Sequence, residues 1–132
     1  MSYVEYLFLL GRILYGGFFV LGGINHFMNL GMMSGYAGSK GVPAAKAGVT
    51  VSGLLILVGG ALVIVGAHIT IAVICLAVFL VPVTYLMHDF WNEKEMMGKI
   101  NQQVNFQKNV ALLGAALFLL MIARPWPYSL PF

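Results

Sequence analysis

The residues of this chain best suited to chemistry are two histidines, His26 and His88. Imidazole is the side chain whose ordinary pKa brings its charge change near neutrality. Neutral, it carries one donor and one acceptor nitrogen. Asn25 precedes His26, and Tyr85, Asp89 and Trp91 flank His88, with Asn105 and Asn109 further along. Such a set could bind a quinone-type headgroup. Histidine would donate to its oxygen or pass a proton, and Phe27, Tyr85, Phe90 and Trp91 could sandwich its flat ring. The plainer reading has two boundary histidines bonded to Asp89, Asn25 or water.

Other groups carry weaker signals. Met28, Met32, Met33, Met87, Met96 and Met97 fall near the histidines in the chain's two longer loops or beside them. Thioether with imidazole suits copper, Cu(I) above all, although no recognised ligand spacing appears. Methionine is equally at home in adaptable apolar interfaces. Haem held between the two histidines is a further option that depends on their separation. The single cysteine, Cys75, excludes an internal disulfide or a C-x-x-C pair. No nucleophile–base pair, phosphate loop or dinucleotide fingerprint occurs, which argues against a self-sufficient enzyme.

The elements that must position these groups are four apolar stretches, at about 4–27, 47–66, 69–87 and 110–123. The chain is 61% hydrophobic and 8% charged, against about 25% charged in a soluble domain. About 20 apolar residues cross the hydrocarbon of a bilayer. The fourth stretch reaches that length only with residues 105–109 as a polar first turn. Four crossings put both termini on one face, side A, and the loops 28–46 and 88–109 on the other, side B. His26 closes the first helix and His88 the third, so both belong to side B. The expected fold is an all-α, antiparallel, up-down four-helix transmembrane bundle.

Lys40, Lys46, Lys94, Lys99 and Lys108 lie toward side B, against Arg124 and at most Arg12 toward side A. The positive-inside rule then makes side B cytoplasmic. The net charge of +3 is explained by these loops and needs no nucleic-acid partner. The first segment lacks a small-x-small cleavage site and has Glu5 in its n-region, so it reads as a retained helix. Arg12 is the one charge well inside an apolar stretch, with no acid at matching depth. It either snorkels to lipid phosphate or is held by structural hydrogen bonds, or else it binds an anionic or carbonyl-bearing ligand. At about 21 Å from His26 along the helix, it cannot share one compact site with it.

Gly16 and Gly23 share a face of the first helix. Gly48, Ser52, Gly53, Gly59 and Gly60 repeat the small-residue pattern in the second, and Ala111, Gly114, Ala115 and Ala116 in the fourth. Small residues let membrane helices approach closely. Pro82 frees the carbonyl of Val78 and predicts a kink in the third helix. Part of the first loop, residues 29–36, fits an interfacial position, and the last loop reads as solvated.

Several short motifs occur in a fixed order: Arg12 before a glycine-rich stretch ending Asn25-His26-Phe27; Gly41-Val42-Pro43; Leu57-Val58-Gly59-Gly60; His88-Asp89-Phe90-Trp91; and the run from Asn105 through Gly114. Together they resemble the DoxX family of small four-helix membrane proteins over nearly the whole chain. The resemblance implies one transmembrane domain over 1–132, in a prokaryotic plasma membrane. It also implies other membrane subunits, or self-association, as partners. Relatives include the DoxD-type subunit of thiosulfate:quinone oxidoreductases. Members often carry a glutamate where this chain has Ile56, so a proton relay through that carboxylate does not carry over. Two functions are expected: a non-catalytic accessory or assembly subunit, or a small redox-linked subunit with a quinone site at His26 and His88.

Overall fold

The computed structural model describes residues 2–131. Its order is α1 (Tyr3–Met28), α2 (Leu30–Ser39), α3 (Ala45–Val65), α4 (Ile69–Met87), a 3-10 turn at Phe90–Asn92, and α5 (Met96–Leu119). No strand occurs among the described residues. The four long helices form the expected antiparallel bundle. α1 packs on α3, α3 on α4, and α4 on α5. α5 returns to α1 through side chains: the Tyr15 hydroxyl donates to the Leu112 carbonyl at 2.6 Å. α1 and α4 are therefore diagonal, and the two histidines come from opposite corners.

α1 begins with a capping box. The Ser2 side chain accepts from the Glu5 N–H, and the Glu5 carboxylate accepts from the Ser2 N–H at 2.9 Å. That satisfies backbone donors at a helix start that would otherwise be orphaned. Small residues bring α1 onto α3. A Cβ at Gly16 would stand 2.5 Å from the Gly60 carbonyl oxygen, and one at Gly23 would stand 2.9 Å from that of Gly53. Gly59 instead admits Leu76 of α4. Gly114 meets no neighbour, so in α5 the small-residue stripe is used at Ala116, which is buried. The core holds Phe19, Ile56, Val63, Ala72, Leu76 and Leu80.

Helices α1, α3 and the segment Ile69–Asn92 are long and apolar enough to cross a membrane, yet at most 33% of each apolar window is buried. Leu7, Leu14, Leu21, Ile74, Val78 and Val81 all face outward. That surface suits lipid as solvent, where only the backbone must be satisfied internally.

The bounds of the fourth long helix and of the loops beside it are corrected. α5 starts at Met96, not near residue 105, and ends at Leu119, not Ala123. Its first half is a polar helix, which an apolar-run criterion passes over. The loop 88–109 thereby shrinks to residues 88–95, and the loop 28–46 contains α2. Arg12 does not snorkel: it is 2% exposed. Pro82 sits within α4, which stays helical on both sides of it.

Candidate functional site

Arg12 anchors the side A end. Its Nε donates to the Val63 carbonyl at 3.3 Å, Nη2 to Ile64 at 2.6 Å and Tyr128 at 3.2 Å, and Nη1 to Pro127 at 2.5 Å. Val63 and Ile64 lie in the last turn of α3, whose final carbonyls have no intrahelical donor. Leu130 N–H serves Val65. The guanidinium also lies 5.8 Å from the Phe8 ring and 5.7 Å from the Trp126 ring. One buried cation thus ties α1, the end of α3 and the C-terminal tail together without a carboxylate. Four of its five N–H donors are used within the protein.

The side B end is built differently. A cavity of about 710 Å³ lies between α1, α3, α4 and α5 and beneath α2. Its lining is mainly apolar: Phe18, Phe19, Val42, Val49, Ile56, Phe79, Leu80, Val83 and Leu86, with Met32, Met33 and Met87. Volume and lining match small-molecule sites, which run to roughly 300–1,000 Å³ with a few placed polar groups. The polar groups here are His26, His88, Asn109, Ser52, Tyr36 and Lys108.

His26, half-buried in the last turn of α1, places Nδ1 2.7 Å from the Gly22 carbonyl. A carbonyl only accepts, so Nδ1 carries the proton. The ring meets Phe79 edge-on at 5.9 Å. His88 caps α4, and its Nδ1 lies 2.8 Å from Gln102 Oε1. Gln102 Nε2 donates in turn to the Tyr36 hydroxyl at 2.8 Å. This chain links α4, α5 and α2 across the cavity. Asn109 is 5% exposed. Its amide makes no hydrogen bond to a described residue, and among the described residues no fully enclosed side-chain polar atom lacks a partner. The amide's remaining accessible surface therefore belongs to the cavity that Asn109 lines. Lys108 Nζ sits 5.3 Å from the Phe18 ring and 3.4 Å from Asn105 Oδ1, between α5 and α1.

The cavity thus gathers His26, His88 and Asn109. Asn25, Tyr85, Asp89 and Trp91 are not in its lining. Asn25 is exposed and accepts from Asn29 at 2.6 Å. Tyr85 stacks obliquely on Trp91 at 5.5 Å, and Trp91 packs against Phe90 and Phe106. Asp89 binds Lys40 Nζ at 2.5 Å and Asn92 at 3.0 Å, with Glu93 3.7 Å from the same ammonium. Lys40 follows α2, so this ion pair fastens α2 to the α4–α5 connection. The hydrogen bond to Asp89 raises the Lys40 pKa.

Sequence reasoning passed over Phe79, Tyr36 and Gln102, and counted Lys40 and Lys108 only as loop cations. One signal was available for Gln102. Gln102, Asn105 or Phe106, and Asn109 recur at helical spacing, which extends α5 back through residues otherwise read as loop. Among the described residues, no group of three or more His, Cys, Asp or Glu side chains is placed to hold a metal.

The DoxX family model matches residues 7–89. No curated protein matches, and no solved structure matches. The matched segment runs from α1 through the side B end of α4 and covers more than half of the chain. It takes in Arg12, both histidines and three apolar helices. The chain, a multi-pass helical bundle integral to the membrane, belongs to the DoxX family.

Proposed function

We propose that this chain is a non-catalytic accessory subunit of a larger membrane complex, with the side B cavity as its working part. The cavity holds a lipid-phase molecule with a flat ring and a polar head, of quinone type. One observation carries the reading. Two histidines from diagonal helices and a buried asparagine with no hydrogen-bond partner among the described residues line a single, largely apolar cavity. Phe18, Phe19 and Phe79 supply ring faces and edges. The chain forms one domain in a prokaryotic plasma membrane, with side B cytoplasmic. Lys40, Lys46, Lys94, Lys99 and Lys108 favour that orientation, and Arg12 is withdrawn from the count by burial.

Identification of small molecules that copurify with the protein tests this. The protein is transferred from its native membrane into lipid nanodiscs and extracted. A ring-bearing lipid should be enriched over bulk membrane and depleted in His26→Ala and Asn109→Ala. A second reading, Cu(I) bound by thioether and imidazole, draws on Met32, Met33 and Met87 in the same lining. Copper copurifying at one equivalent, without an enriched ring compound, favours it.

A further inference from the structure

The hydrogen-bond partners of the two histidines fix what the cavity can recognise. His26 Nδ1 lies 2.7 Å from the Gly22 carbonyl of its own helix. That oxygen cannot donate, so the neutral ring must hold its proton on Nδ1 and present Nε2 as a bare lone pair. No described residue donates to that nitrogen. His88 follows the same pattern. Its Nδ1 faces Gln102 Oε1 at 2.8 Å, where it donates, and Gln102 Nε2 donates in turn to the Tyr36 hydroxyl. His88 Nε2 is then also an acceptor. Asn109, buried on α5, adds an amide that can both donate and accept.

Resting on the ring-ligand reading above, we propose that the cavity selects an aromatic hydroxyl, a phenol or hydroquinone, over the corresponding carbonyl or ether. The ligand O–H donates to His26 Nε2, and its oxygen accepts from the Asn109 amide. A quinone carbonyl brings a second acceptor to His26, and two facing lone pairs cannot bond. A buried acceptor left without a donor makes such a ligand bind more weakly than its hydroxyl counterpart. The selection reverses the ordinary expectation that histidine donates to a quinone oxygen. That role would need the Nε2–H tautomer, which the Gly22 carbonyl opposes.

The test is a redox-inert ligand pair, a 4-alkylphenol and its methyl ether, titrated by calorimetry into wild-type protein in nanodiscs. The two share ring, tail and acceptor oxygen and differ in the donor. The phenol should bind about tenfold tighter, as loss of one hydrogen bond to a buried acceptor predicts. In His26→Phe, which keeps a planar ring beside Phe79, the ratio should fall to near one. Equal affinities in wild type would overturn the selectivity and leave the ring-ligand reading standing. Binding of neither compound, in protein that elutes and melts as a folded species, would overturn both. A decyl hydroquinone held under anaerobic reduction, set against its oxidised form, should reproduce the same order.

Discussion

Replacing Arg12 with Met should unfasten the side A end while leaving the side B cavity built. The guanidinium makes four hydrogen bonds, all to backbone carbonyls, and two of these belong to the unsatisfied last turn of α3. Bonds to a charged group contribute about 1.5–3 kcal/mol each. Against them stands the cost of placing an arginine within an apolar helix, about 2.5–3.5 kcal/mol. Methionine relieves that cost but offers no donor, so four carbonyls lose their partner. Even at the low end of the bond range the net loss is about 3 kcal/mol. For a chain of this size that corresponds to a fall in Tm on the order of 10 °C. Arg12→Lys keeps the charge but has three donors at a single nitrogen, so it should fall between the two. Thermal unfolding in detergent supplies the stability readout. Trp126 is buried against Phe8 and beneath the guanidinium, so its emission reports the tail. Limited chymotryptic cleavage after Tyr128 should release the last residues in Arg12→Met well below its melting temperature. An unchanged Tm together with a protease-resistant tail would refute the reasoning.

Gly16→Leu should reduce folded yield and lower Tm by several degrees, because a Cβ there collides with the Gly60 carbonyl and the Ile64 side chain; Gly114→Ala, which meets nothing, should melt like wild type. Lys40→Met should cost about 1 kcal/mol or less, yet speed hydrogen exchange in α2, since Lys40 ties α2 to Asp89 and Glu93. The raised Lys40 pKa gives this tie a sign: its contribution is full below the ordinary lysine value of about 10.4 and is lost as pH rises through the folded value. α2 exchange should therefore accelerate only in alkali, beyond the intrinsic base-catalysed rate. Cysteines placed at Ser39 and Ser129 should label from opposite faces, Ser129→Cys from outside the cytoplasm; labelling of Ser129→Cys from the cytoplasm alone would reverse the topology.

The bundle was legible in the sequence because its signal is composition over long windows. Three apolar runs of about 20 residues admit few alternatives in lipid. The shared depth of His26 and His88 followed from counting crossings. α5 was less legible, because Met96–Asn109 is helical without being apolar, and hydropathy does not see polar helix. That omission hid Gln102, the residue that binds His88, and with it the link to Tyr36. Arg12 shows a different limit. Its partners are carbonyls up to 116 residues away in the chain, and backbone atoms leave no mark on side-chain patterns. Tyr85 and Trp91 stand beside His88 in sequence, yet they turn to each other and to Phe106. Neighbours along a helix end diverge by 100° per residue, so adjacency alone does not bring side chains together.

The claim that the side B cavity carries a ligand is tested most directly by filling it. Ser52 is half-buried and lines the cavity from α3, so Ser52→Phe places a ring inside it. Native mass spectrometry of wild type and Ser52→Phe, each released from its own membrane into detergent, compares them side by side. Wild type should carry a small-molecule adduct of a few hundred daltons that Ser52→Phe lacks while eluting and melting as a folded protein. An adduct retained in the filled variant, or none on wild type under conditions that preserve bound lipid, would contradict the account.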